Sequence, residues 1–300
     1  MKSAELGKAC LIASNSVRER VEAVLGLPVI PGTDSLPSET ETLVVAGGGS
    51  LIDRVKVFRR ERWPALELVA IPSIWGSGAE VSPVAVLNGA AKDIHFSDDL
   101  IPDQYVVWPE LAQSAPEDVL RFACGDVWAH AFEAFCSPLA TSALRMQAAV
   151  LMNEIAEYPL GYDPRWFDAS ASACLLQARS SVGLIHGFAH VLEPALQKRA
   201  VPGWGHARLC STFLLPVLGF NLSRSPKVEN LAREFGLNLE SLRRTAEALF
   251  DPAGYATAMT DAERLWETIA RDRCSRTNCV LVRRDSIDFF REFRRAGVSA

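Results

Sequence analysis

No apolar run in this sequence is long enough to span a bilayer. The longest stretches, such as residues 212–220, fall far short of the roughly 20 residues a spanning helix needs. No heptad array and no Gly-X-Y period occurs, which argues against a fibre. Cys-x-x-Cys is absent, which argues against a thiolate zinc knuckle. The seven cysteines are odd in number and form no tight framework, so free thiols in a reducing cytoplasm are expected. The stretch MKSAELGKACLIASNS carries a short apolar segment with no convincing cleavage site, and reads as a first strand rather than a signal peptide. Net charge is −5, so no nucleic-acid or membrane partner is expected from charge or hydropathy. With 49% apolar and 22% charged residues over 300 positions, the chain has the balance of a globular protein of two domains or one large one.

The first third alternates β-like and helical patterns. Strands are expected at 8–13, 27–30, 42–46, 66–71 and 105–108, with helices at 17–25 and from 51 to about 60. That alternation predicts an α/β, Rossmann-like N-terminal domain (residues 1–112) with a mostly parallel sheet. Beyond it the patterns are almost entirely helical, so an all-α domain is expected over 113–300. Its breaks are expected at 159–164, 201–205, 224–226 and 251–254. Ser114 and Glu117 read as a capping box opening the first helix, with Pro116 in its first turn.

Gly47-Gly48-Gly49-Ser50 stands between a strand and a helix. Such a turn lets backbone approach a ligand, and the helix N-terminus offers N–H groups to a pyrophosphate. A tight turn without ligand is the competing reading. The spacing is neither a P-loop nor GxGxxG. A second loop, Ser73-Ile74-Trp75-Gly76-Ser77-Gly78, brings two hydroxyls suited to phosphate or ribose oxygens.

Asp126 and His130 are four apart, as are His186 and His190, and His206 follows sixteen residues later. On a helix each pair shares a face and can hold one cation. A carboxylate with neutral imidazoles suits Fe²⁺ or Zn²⁺. Gly187 stands where zinc proteases carry their catalytic Glu, which argues against that class. Trp75 and Trp204 flank this region and serve either an aromatic pocket or packing. Trp128 points away from the metal face and reads as core. The eight arginines of residues 271–300 are interleaved with acids and read as a solvated, ion-paired face, with an acidic-partner dock as the sharper alternative.

In order along the chain, these motifs resemble the iron-containing (group III, metal-dependent) alcohol dehydrogenases. GGGSLID is similar to that family's GGGSxxD turn, and IPSIWGSGAEV to its IPTTxGTGSEV loop. GDVWAHAFEAF is similar to its GxDALTHAIEAY helix. GLIHGFAHVL with residues 202–206 resembles GLVHALAHPLG…PHG, and CSRTN resembles CTxTN. The resemblance implies a dehydroquinate synthase-like architecture with a cleft between two domains. It implies metal ligands at Asp126, His130, His186 and His206, with His190 a catalytic non-ligand on a proton path. It further implies that Gly48, Gly49, Ser50 and Asp53 belong to the nucleotide turn, that Ser73 and Ser77 face the nicotinamide, and that Lys92 lies near the ribose.

The implied activity is hydride transfer between NAD or NADP and an alcohol or carbonyl, either a small molecule or a group borne on a carrier or peptide, in specialised biosynthesis. A homodimer is within expectation. Asn15 replaces the acidic residue after the first strand, and with Arg18 nearby this admits NADP. Only 46 residues precede Gly47 and 11 separate the second and third expected strands, so a crossover helix is expected to be lost or cut to a single turn near 38–41, shortening the nucleotide domain. A dehydroquinate-synthase-like lyase or cyclase, and a metal-binding relative without enzymatic activity, are the alternative readings.

Overall fold

The computed structural model describes residues 8–88, 92–199, 201 and 203–297. The first seven residues, Ala200 and Pro202, which took part in the sequence readings, lie outside them. Three apolar segments form the sheet core: β1 (Ala9–Ala13), β2 (Thr42–Gly47) and β3 (Glu67–Pro72). Every residue of β1 and β2 is buried, as expected of parallel strands covered on both faces. Helix α1 (Arg18–Leu25) follows β1, and α2 (Gly49–Arg62) follows β2. A hairpin of β4 (Val84–Asn88) and β5 (Lys92–Phe96) comes next, then a two-residue β6 (Gln104–Tyr105). The main sheet runs β1-β2-β3-β6, all parallel, and β4-β5 is a separate antiparallel pair.

Several local expectations change. The strand expected at 27–30 is a single bridge, Val29 to Leu11. Pro28 has no N–H to give, so the ladder holds only through its carbonyl and the Ile30 N–H. The expected single turn lies at Thr33–Ser35, not at 38–41. The last parallel strand ends at Tyr105, because Pro109 steers Trp108 out of line into a 3-10 turn, Pro109–Ser114. Ser114 does not cap the next helix. It closes that 3-10 turn and accepts from the Arg20 guanidinium at 2.6 Å, while Pro116 takes the cap position. The β4-β5 hairpin was not anticipated.

The helical part comprises α3 (Glu117–Cys136), α4 (Ser142–Ile155), α5 (Arg165–Ala178), α6 (Leu184–Lys198), α7 (His206–Arg224), α8 (Lys227–Phe235), α9 (Leu239–Leu249), α10 (Pro252–Arg271), α11 (Arg273–Arg276) and α12 (Ile287–Gly297). Helix α3 is its axis. From Ala123 to Cys136 every residue is buried, Trp128 among them, and α4, α5 and α7 pack around it. At Gly125 a Cβ would stand 2.5 Å from the Ser211 Cβ and 2.8 Å from its Cα, so only glycine permits this α3–α7 crossing. The neighbours of that crossing, Asp126 on α3 and Cys210 on α7, are thereby brought face to face. Trp75 packs edge-on against Phe167 and is core. Trp204 lies under the Arg208 guanidinium. The C-terminal arginines pair with acids, as Arg291 and Arg294 do with Glu263, which fits the ion-paired face. All seven cysteines are free. Among the described residues no helix is long and apolar enough to cross a membrane.

Candidate functional site

The site grows out of three helix segments. Asp126 comes from the middle of α3, His186 from the first turn of α6 and His206 from the first residue of α7. The Asp126 Oδ1 lies 3.9 Å from Nε2 of both His186 and His206. Asp126 is 2% exposed, and its Oδ1 has no hydrogen-bond partner. A buried carboxylate oxygen left unpaired is costly unless something else satisfies it. His130 stacks on His186, with ring centroids 4.6 Å apart, and its buried Nδ1 is likewise unpartnered. Among the described residues, the donors that come within 4.8 Å of one another here are Asp126, His186, His206 and Cys210, and His130 stands outside that group. An unpaired, buried carboxylate oxygen in a cluster of nitrogen, oxygen and sulfur donors fits a transition-metal ion.

Electrostatics favour the ligating forms. Burial works against the Asp126 carboxylate, but His130, His206 and His186 outweigh it and hold its carboxyl below the ordinary range. Burial pushes His130 down to about 3 despite Asp126. Burial, reinforced by the Lys92 charge, lowers His206 and His190 as well, which favours their uncharged forms.

Two carboxylates that the sequence reading missed position the imidazoles. Glu133, two turns past Asp126 on α3, accepts from His186 Nδ1 at 2.7 Å through Oε2 and from the Ile185 N–H at 2.6 Å through Oε1. One side chain thus serves the first turn of α6 and fixes the His186 tautomer, leaving its Nε2 lone pair toward Asp126. Glu193, on α6, pairs with Lys92 at 2.5 Å. The Lys92 Nζ also lies 2.9 Å from His206 Nδ1. The hairpin therefore delivers Lys92 to the histidine end of the site. Segment 274–278 ties the lead-in of α6 to α7: the Thr277 hydroxyl donates to Val182 O at 2.7 Å, and Asn278 Nδ2 donates to Asn221 at 2.8 Å.

A cavity of about 510 Å³ joins this cluster to the glycine turn, with Gly49, Ser50 and Ser77 at one end and His186, His190 and His206 at the other. Helix α2 begins at Gly49 with no side-chain cap and no acidic residue in its first turn, which leaves its positive end open to an anion. A Cβ at Gly48 would meet nothing within 4 Å, whereas one at Gly49 would strike the Ser77 Oγ at 2.3 Å. The turn and the serine loop are thus packed on each other at Gly49 and open at Gly48. Asp53 lines the cavity, but its oxygens are engaged by Lys56 Nζ at 3.3 Å and the Val86 N–H at 2.9 Å. Ser73 is buried and bonds Gly47 O through its backbone N–H. Asn15 is exposed just beyond β1.

No family model matches the chain. An alcohol dehydrogenase of Thermococcus barophilus is 27% identical over 296 residues, covering 84% of this chain and 74% of that protein. A 1-propanol dehydrogenase of Salmonella typhimurium is 31% identical over 172 residues, covering 51% of this chain and 46% of that protein. The chain thus spans about half of the second relative's length. The fold matches an iron-containing alcohol dehydrogenase from Thermococcus thioreducens with a TM-score of 0.74 at 23% identity, over 98% of this chain and 95% of that one. The chain thus has the fold of an iron-containing alcohol dehydrogenase and resembles alcohol dehydrogenases in sequence. Within that framework, Asp126, His186 and His206 are brought together, His190 lies beside them, and His130 is stacked behind His186. The His190 Nδ1 faces the Cys274 thiol at 3.5 Å and Asp272 at 3.9 Å. Cys210 was also missed, although it repeats the i,i+4 spacing after His206 that identified the other pairs.

Proposed function

We propose that the cavity binds a divalent transition metal, Fe²⁺ or Zn²⁺, and a nicotinamide dinucleotide, and that the protein exchanges a hydride between that nucleotide and an alcohol or carbonyl. The observation that carries this reading is the continuity of one cavity from the open N-terminus of α2 to a buried donor cluster with an unpaired carboxylate oxygen. Asp126, His186 and His206 would hold the metal, with His130 against His186. Gly48, Gly49 and Ser50 would take the pyrophosphate on the helix N-terminus, with Ser77 beside them. When bound, the metal supplies Lewis-acid polarisation of the substrate oxygen and the nucleotide supplies the hydride acceptor or donor.

The chain's own work is positional. Glu133 holds His186 in the tautomer that ligates. For His206 the proton must sit on Nδ1, toward the Glu193 Oε2 now 3.7 Å away. Lys92 at Nδ1 imposes the opposite tautomer, so ligation requires Lys92 to retain Glu193 alone. His190, neutral and cavity-facing, is placed to pass the hydroxyl proton of the substrate outward. Small alcohols and aldehydes suit the cavity, and a carbonyl borne on a peptide or carrier remains within the proposal. Asn15 in place of an acid allows NADP beside NAD.

Metal analysis of the purified protein, combined with NADH and NADPH titration, tests this reading. Bound metal at about one equivalent together with saturable nucleotide binding supports it. Metal without measurable nucleotide binding would point to a relative that has lost the reaction.

A further inference from the structure

Cys210 stands one turn after His206 at the start of α7, so the two side chains leave the same helix face. Its side chain is fully buried. The Sγ lies 3.6 Å from His206 Nε2 and 3.9 Å from His186 Nε2. The Gly125–Ser211 crossing, one residue away on each helix, sets this approach to Asp126. A tetrahedral ion with sulfur at about 2.3 Å and nitrogen or oxygen at about 2.0–2.1 Å places its donors roughly 3.3–3.6 Å apart. The observed separations, 3.6 to 3.9 Å, are within a few tenths of an ångström of that. An independent observation points the same way: the Asp126 Oδ1, aimed into this group, is buried and has no hydrogen-bond partner.

We infer that Cys210 is a metal ligand of this chain, completing an Asp126–His186–His206–Cys210 set and turning its preference from Fe²⁺ toward Zn²⁺. The inference rests on the reading of the cluster as a metal site. His130 does not share the spacing and supports His186 by stacking instead. A thiolate is a soft donor, and a site of one thiolate, two imidazoles and a carboxylate suits Zn²⁺ or Co²⁺ better than an all-nitrogen-and-oxygen site does. As the metal–sulfur bond forms, the thiol proton goes to solvent. Thiolate formation therefore frees about one proton per ion.

Co²⁺ added to the metal-free full-length chain reads this directly. The expected result is a set of weak d–d bands, an intense near-ultraviolet sulfur-to-cobalt charge-transfer band, and about one proton released per ion. In Cys210→Ser the d–d bands should remain while the charge-transfer band and the released proton disappear. In Cys274→Ser, which alters a thiol lining the cavity beside His190, both should persist. Bound cobalt without the charge-transfer band, or a band that survives in Cys210→Ser, overturns the inference and leaves the metal site standing. Failure of cobalt to bind at all overturns the metal reading and this inference together. X-ray absorption on the zinc-loaded wild type needs no variant: a sulfur scatterer in the first coordination shell supports the assignment, and its absence refutes it.

Discussion

At the scale of single residues, the site depends on side chains that bind nothing themselves. Glu133 is the strongest case, because one carboxylate orients His186 and engages the first turn of α6. Glu133→Gln keeps the shape but loses the charge on the imidazole, so Zn²⁺ affinity should fall about 10–100-fold in a chelator competition. Unchanged affinity would remove Glu133 from the site. Glu80 offers a second test, away from the donor cluster. Burial pushes its carboxyl up to about 7, against which the Lys56 charge gains only part. A raised carboxylate pKa means that the folded state holds a proton the unfolded chain has lost. Stability is therefore full below the unfolded value near 4.5, declines as pH rises, and levels off past 7. Glu80→Gln should then add stability on the order of 3 kcal/mol at pH 8 and little at pH 4, read by urea unfolding. An equal gain at both pH values would contradict this cause.

Residue spacing made part of this legible. The i,i+4 rule singled out Asp126 with His130 and His186 with His190, because helical neighbours share a face. The same rule reaches Cys210 from His206, but a lone cysteine in an apolar helix also reads as packing. Lys92 meets His206 across 114 residues, a contact no local pattern carries.

At the scale of elements, close approaches set the geometry. Gly125→Ala would drive a Cβ into the Ser211 Cβ and backbone and force α3 and α7 apart. A loss of about 1–3 kcal/mol is expected, together with weaker metal binding as Asp126 withdraws from His206. A stable variant with unaltered metal affinity would show that this crossing does not set the site. Helix α2 is fastened to the hairpin by Lys56, fully buried, whose ammonium donates to Asp53, Ala79 O and Val84 O. Asp53→Ala strands that charge and should cost about 3–5 kcal/mol in denaturant unfolding, whereas a loss below 1 kcal/mol would mean that Lys56 finds water. Asp53 thus ties the glycine turn's helix to the hairpin while also lining the cavity.

Strands β1 to β3 were readable because buried parallel strands are continuous apolar runs. The β4-β5 hairpin was not, because its strands carry mixed residues such as Lys92 and Asp93, whose value lies in the side chain delivered to α6. The 27–30 strand failed at Pro28, and the Ser114 cap failed because a 3-10 turn and Pro116 took its place.

At the scale of the molecule, strands occupy the part before Trp108 and packed helices the part after it, with one cavity drawing on both. The order of motifs carried this architecture in the sequence, since they fall in turn on the β–α turns of the first part and on the helices of the second that bear the donor cluster. The segment between Val29 and β2 holds only a 3-10 turn where a crossover helix would cover the sheet edge. The adenosine side should then be shallow, and NAD(P) should bind weakly; a tight dissociation constant in titration would contradict this. The most direct measurement is oxidation of NADH and NADPH by a panel of aldehydes, comparing metal-loaded protein with its chelated form and with His186→Ala. Aldehyde-dependent oxidation by the loaded wild type, lost in both comparisons, is the expected result. Oxidation that persists after chelation or in His186→Ala would show that hydride transfer does not depend on this metal cluster.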